Sequence, residues 1–437
     1  MKIALIDPMF KRVNSNVRMK KLLANSPFLY FYSSFWSGFS TGLLTLAALT
    51  PEGFEVRYID DNFEDIPYEE QFDIVAVTAT TQQATRAYSI AREFKTKWGD
   101  DCTLVAGGYH VSYFPEEAQK YFDVVFQGEA ETTWPEFLSD FTRNSKKSIY
   151  KSSDYAPVNL KDVPVPRYEL LNPEYYKMLW LQTSRGCPRP CEFCAASEYF
   201  GHQTRSKSPE QTVKEIKYAR RFLKFQPILF ADDNMFLGGR KSIQFLGALQ
   251  KSNIRFVAQA DIGVATNPEL LEKLKDSGCS VLFIGFESLD PRNLSLMNTN
   301  QWKLNHLSSY KESIHIILQT GIGIYGAFIV GYDWDTKDSF RDVGDFITEN
   351  FLAGAQITLP TPLPGTKLRR RLLKENRVLK TPWENYTFFD VNIAHPTLSK
   401  AELEEELFKL YARIYNKEYL DKKNQFYKEI FRRSLSM

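Results

Sequence analysis

The sequence predicts an α/β fold in three parts: an N-terminal doubly wound parallel sheet, a partial (β/α)6 barrel and a small helical C-terminal extension. Three observations carry this expectation. Short apolar runs alternate with helical patterns over residues 1–142, a second alternating series fills 176–365, and from 366 onward the period is helical alone. Short apolar runs separated by amphipathic helices are the pattern of parallel strands covered on both faces.

In the first part the strand candidates are Ile3–Ile6, Val56–Ile59, Ile74–Val77, Leu104–Ala106 and Val124–Phe126. Ala87, Ile90, Ala91, Phe94 and Trp98 repeat at the i, i+3, i+4, i+7 spacing of one buried helix face. Doubly wound sheets bind ligands at the carboxyl ends of their strands. Turn residues stand there: Asp7-Pro8, Thr78 to Thr81, Gly107-Gly108-Tyr109-His110 and Gln127-Gly128-Glu129. Residues 143–175 are polar and carry Pro157, Pro164, Pro166 and Pro173, which reads as a linker.

The second series places strands at Leu179–Thr183, Ile228–Ala231, Phe256–Ala260, Val281–Phe286, Ile324–Val330 and Ala355–Leu359. Helical segments near 209–224, 239–251, 268–277, 308–319 and 336–350 separate them; in the third, Leu270, Leu271 and Leu274 face inward and Gly278 is the stop. Six βα units are too few to close an eight-stranded barrel, so an open barrel with its site at the strands' carboxyl ends is expected. In the tail, Ser399-Lys400-Ala401-Glu402 is a capping box, and Leu403, Leu407, Leu410, Tyr411 and Ile414 form one stripe that packs on the barrel.

The 437 residues suit two or three domains, and the formal charge of +2 gives nucleic-acid binding no support. Met1-Lys2 runs straight into a buried strand rather than a leader, and no apolar run is long enough to cross a bilayer. A cytoplasmic setting follows, in which cysteines serve metal or redox chemistry rather than disulfides. The chain has five cysteines, and Cys187, Cys191 and Cys194 fall within eight residues.

Those three sit in Thr183-Ser184-Arg185-Gly186-Cys187-Pro188-Arg189-Pro190-Cys191-Glu192-Phe193-Cys194, a Cys-x3-Cys-x2-Cys spacing directly after the first barrel strand. Thiolates suit iron–sulfur clusters and zinc. Three ligands on a four-iron cluster leave one iron open for a substrate-like chelator. A zinc knuckle would need a fourth ligand, for which His202 stands nearby; Cys102 and Cys279 read as plain buried thiols.

The segment resembles the signature of the radical S-adenosylmethionine (SAM) enzymes, and the likeness extends over most of residues 179–365. Phe230-Ala231-Asp232-Asp233-Asn234-Met235-Phe236 is similar to that family's second strand end, Gly285-Phe286-Glu287-Ser288 to its fourth, and Leu363-Pro364-Gly365-Thr366 to a turn after its sixth. The resemblance implies a [4Fe-4S] cluster on Cys187, Cys191 and Cys194 and cleavage of SAM to a 5′-deoxyadenosyl radical. It also implies SAM contacts from Asp232 or Asp233, Gly285, Glu287, Ser288, Phe193 and Pro364. An external electron donor such as flavodoxin or ferredoxin, and a small-molecule substrate, belong to the same expectation.

An N-terminal doubly wound domain ahead of such a barrel resembles the cobalamin-binding subclass. Gly107-Gly108-Tyr109-His110, Pro115-Glu116-Glu117-Ala118 and Asp123 to Glu131 carry the likeness. It implies that Thr78, Thr80, Thr81, Gly107, Gly108, Tyr109, Gly128 and Glu129 hold cobalamin. Asp7-Pro8-Met9-Phe10-Lys11-Arg12 has no histidine where many cobalamin proteins carry Asp-x-His-x-x-Gly, so the cobalt is expected without a protein histidine, and His110 as a loop hydrogen-bonder. The aromatic run Phe28 to Phe39 is either core or a wall over the corrin or an apolar substrate. The function implied is methylation of an unactivated carbon. The alternatives are an oxidative cyclase, a radical SAM rearrangement without cobalamin, or a non-catalytic corrinoid or iron–sulfur carrier.

Overall fold

A computed structural model gives the structure of the chain and describes residues 1–10, 17–25, 38–298 and 300–435. The aromatic run therefore lies outside the described residues except for its end; Phe39 is core, edge-on to Tyr168 and Tyr176.

The N-terminal sheet has six parallel strands: β1 (Lys2–Asp7), β2 (Glu55–Asp60), β3 (Ile74–Thr78), β4 (Thr103–Gly107), β5 (Val124–Gln127) and β6 (Ile149–Lys151). Their spatial order is β2-β1-β3-β4-β5-β6. The chain winds outward in opposite directions from β1 and β3, which puts a crevice at the carboxyl ends beside that switch. Ile3, Leu5, Ile74 and Ala76 pack on one face of the sheet and Ala4, Ile6, Val75 and Val77 on the other, which is why these strands read as unbroken apolar runs. β6 falls inside the stretch read as linker. Its pairing Val125↔Ile149, Phe126↔Tyr150 adds an edge strand of three residues, too short to carry a period. Val158, Leu160 and Val163 form a small cluster of their own there.

The second sheet is the open barrel: β7 (Leu179–Leu181), β8 (Ile228–Phe230), β9 (Phe256–Ala260), β10 (Cys279–Glu287), β11 (Gly323–Ile329) and β12 (Gly354–Thr358), all parallel and neighbouring in that order. The helix Pro268–Asp276 buries Leu270, Leu271 and Leu274, and Gly278 follows it at φ +92.

An open barrel leaves a free edge at β12, and unpaired strand edges need covering. The helix Lys400–Ile414 covers this one. Its capping box forms as expected, and its five stripe residues are all buried. Tyr411 Oη donates to the Ile357 carbonyl (2.9 Å) and accepts from the Ile357 N–H (3.0 Å). Tyr415 Oη does the same for Ala355 at 3.0 and 3.3 Å. Two phenols thus stand in for a seventh strand.

Candidate active site

The cysteine loop leaves the barrel through Ser184–Arg185, which pairs antiparallel with Arg205–Ser206. Cys187, Cys191 and Cys194 line one cavity of about 280 Å³, with the carboxyl ends of β8 to β12 as its other walls. Burial pushes all three thiols up, Cys191 to about 11. Thiolates here need a cation against them, and iron supplies one. Among the described residues no three His, Cys, Asp or Glu side chains converge on a single ion. A four-iron cluster takes each thiolate on a separate iron. His202 holds its Nδ1 3.2 Å from the Cys187 carbonyl oxygen.

The two aspartates after β8 part company. Asp232 is fully buried and off the cavity lining. It accepts from the Thr183 N–H (3.2 Å), from Thr183 Oγ1 (2.7 Å) and from the Ser184 hydroxyl, tying down the chain that enters the cysteine loop. Asp233 lines the cavity, takes one contact from the Gly186 N–H at 3.2 Å, and is pushed up to about 6 by burial and by the charge of Asp232.

At the end of β10 the ladder slips between Gly285 and Glu287, and Glu287 adopts φ +66. Such left-handed backbone at a non-glycine residue costs free energy and gathers at functional sites. A Cβ on Gly285 would stand 2.2 Å from Glu287 Oε1 and 3.0 Å from Lys303 Nζ, so a side chain there would displace this pair. Lys303 donates to Glu287 at 2.8 Å. Burial alone would pull the Lys303 ammonium down; the neighbouring charges, Glu287 foremost, together outweigh that and hold it above its ordinary value. Ser288 lies off the cavity, its Oγ accepting from the Asp290 N–H at 3.1 Å.

A second cavity lies at the carboxyl ends of β3, β4 and β5, lined by Thr78, Gly107, Gly108, Gly128 and Glu129. Thr80, Thr81 and Tyr109 are not on it. Thr80 pairs with Gln83 Oε1 (2.8 Å), Thr81 is buried, and Tyr109 donates its phenol to the Pro364 carbonyl, which takes that turn away from the first cavity too. Gly128 is at φ +90, where a Cβ would sit 2.0 Å from Ser152 Oγ. His110 is buried among Phe114, Trp383 and Tyr88, with its Nε2 3.5 Å from Glu117 Oε1. It lines neither cavity. This second cavity of about 240 Å³ is edged by glycines, and among the described residues no histidine lines it.

One segment walls both cavities. Arg185, Tyr199 and Phe200 face the second, and Cys187, Phe193 and Cys194 the first. Arg185 is clamped by Glu129 (2.5 Å) and Glu131 (2.6 Å), and Arg205 by Glu129 (2.9 Å). The sequence reading missed Arg185, Arg189, Asn234, Asp261, Trp302 and Lys303. Arg189 donates to Asp261 at 2.9 Å and lies 4.0 Å from the Trp302 ring. Position within the signature was the only hint for Arg185 and Arg189; Trp302 and Lys303 carry none.

Comparison with known proteins agrees with this geometry. The Radical SAM superfamily model matches residues 181–347 and the B12 binding domain model residues 37–138. The chain is 27% identical over 390 residues to bacteriochlorophyllide d C-8(2)-methyltransferase of Chlorobaculum tepidum, covering 86% of this chain and 85% of that one. It is 28% identical over 354 residues to hopanoid C-2 methylase of Rhodopseudomonas palustris, covering 77% and 65%. The fold is shared with the radical SAM methyltransferase TsrM of Kitasatospora setae, solved with cobalamin and a [4Fe-4S] cluster, at a TM-score of 0.66 and 15% identity over 95% of this chain and 88% of that one.

Proposed function

We propose that this chain, which carries a radical SAM domain and ahead of it a B12-binding domain, methylates an unactivated carbon of an apolar small molecule. The observation that carries the reading is the shared wall: residues 185–200 border both cavities, so two cofactors act on one substrate between them. The relatives that are methyltransferases support the reaction type.

When bound, the cluster and SAM supply a 5′-deoxyadenosyl radical and cobalamin supplies the methyl carrier. Cys187, Cys191 and Cys194 hold the cluster, and the loop they share is fixed from below by Asp232. Asp233 and the Glu287–Lys303 pair present polar atoms to the cavity for SAM, and Phe193 offers a ring for its adenine. Phe283, Phe328, Ile329, Leu359 and Phe388 add apolar surface beside the polar Gln259, Gln356 and Thr358. A radical site must exclude water, and apolar side chains at the wall serve that end. Thr78, Gly107, Gly108, Gly128 and Glu129 border the corrinoid. The electron arrives from a flavodoxin- or ferredoxin-type donor in a reducing, cytoplasmic setting.

The test is product stoichiometry. Reconstituted protein given methyl-labelled SAM and a small-molecule extract of its own cells should form S-adenosylhomocysteine and 5′-deoxyadenosine in equal amounts, with label in a lipophilic product. 5′-Deoxyadenosine without S-adenosylhomocysteine would instead indicate a cyclase or other rearrangement.

A further inference from the structure

Asn298 ends the helix Pro291–Met297 in an extended conformation, φ −139 and ψ 99. It forms an isolated antiparallel bridge with Cys191, and the Glu192 N–H donates to the Met297 carbonyl at 2.8 Å. This bridge holds the carboxamide over the sulfur: Asn298 Nδ2 stands 3.1 Å from Cys191 Sγ. The side chain is fully buried, and its Oδ1 has no hydrogen-bond partner among the described residues.

That combination is not what a stabilising asparagine looks like. Burying a carboxamide and leaving its oxygen unpaired is a net cost to the fold. The amide cannot be flipped to better effect, because its oxygen would then face a thiolate that has no proton to donate. The carboxamide is spent on one contact, to a cysteine sulfur.

We propose that Asn298 is a positioning residue that sets the reduction potential of the cluster through its hydrogen bond to Cys191 Sγ, an inference that rests on Cys191 being a cluster ligand. Reduction adds negative charge that is shared by the cluster and its thiolates. A donor to the sulfur stabilises the reduced form, and hydrogen bonds to sulfur are one of the levers that tune such potentials. Asn298 thereby makes the cluster easier to reduce by a protein donor of modest strength.

Two variants separate this from a structural role. Asn298→Leu keeps the volume and removes both the donor and the unpaired oxygen; Asn298→Ser keeps a hydroxyl too short to reach. Each is reconstituted anaerobically as the full chain, iron and sulfide are counted, and the cluster is titrated by electron paramagnetic resonance against dithionite-poised mediators. Asn298→Leu is expected to bind as much iron as wild type and to melt no lower. Its reduced fraction at a fixed potential should fall about tenfold, which is about 59 mV downward for one electron. An unchanged midpoint in a variant with full iron content overturns the proposal. If both variants lose the cluster, wild type labelled with ¹⁵N-asparagine decides. A nitrogen coupling to the reduced cluster that persists when Asn234 is replaced by Ser supports the contact, and its absence overturns it. Failure of wild type to assemble any cluster would remove the reading beneath, which is a different result from an unchanged potential.

Discussion

Asp232 and Asp233 are neighbours with opposite duties, and exchanging either for a neutral residue separates them. Asp232→Ala removes the acceptor of three donors: the Thr183 N–H, the Thr183 hydroxyl and the Ser184 hydroxyl. A buried N–H left without a partner costs about 1–3 kcal/mol, and each lost hydrogen bond to a charged group is of similar size. Against this stands the relief of no longer burying a carboxylate, whose proton affinity burial already raises. The two hydroxyls can rotate to weaker partners, so the expected loss is about 3 kcal/mol. In a unit of roughly 150–250 residues, 1 kcal/mol moves the midpoint by about 2–4 °C, which predicts a fall of about 6–12 °C in thermal unfolding of the cluster-free protein. Asp233→Asn should differ in kind. Asp233 takes a single contact and is pushed up to about 6 by burial and by its neighbour's charge. Its neutralisation should leave the midpoint unchanged or slightly higher. SAM binding to the reconstituted protein, measured by calorimetry, should weaken about tenfold. A midpoint unmoved by Asp232→Ala, or lowered equally by both changes, would refute the division of labour. Unaltered SAM affinity in Asp233→Asn would remove Asp233 from the site.

Three further outcomes are expected. Asp7 is buried and is pushed up to about 7 by burial and then by the charge of Asp60, from 3.8 in the unfolded chain. The stability tied to its proton is complete below pH 3.8 and is lost as pH rises through 7, so Asp7→Asn should gain on the order of 4 kcal/mol at pH 8 and almost nothing at pH 4; equal gains at both pH values in urea unfolding would show that the cause is not titration. Gly128→Ala forces a left-handed alanine against Ser152, at about 1–2 kcal/mol for the backbone alone; retained cobalamin should fall while iron content stays at the wild-type level, and a parallel loss of iron would point to general unfolding. The cob(II)alamin form should show no histidine nitrogen splitting by electron paramagnetic resonance, since no histidine lines the second cavity; splitting that vanishes in His110→Ala would mean that this ring moves to the cobalt.

What the sequence by itself determined follows from short-range pattern. Strands covered on both faces must be apolar throughout, so eleven of the twelve large-sheet strands could be read from their runs, and only β6, three residues at an edge, could not. Helix ends were equally legible where a local group makes them, as at Ser399 with Glu402 and at Gly278. The cysteine spacing named its chemistry because three soft ligands within eight residues have few other uses. The tertiary structure decided which polar groups meet. Adjacent Asp232 and Asp233 look alike in sequence, yet successive residues point to opposite sides, one into Thr183 and Ser184 and one into the cavity. Lys303 reaches Glu287 across 16 positions, and Asn298 reaches Cys191 across 107. Tyr411 reads as one more apolar stripe residue until β12 proves to have a bare edge. Such pairings are set by which chain segments pack side by side, and one sequence has no local signal for a partner a hundred residues away.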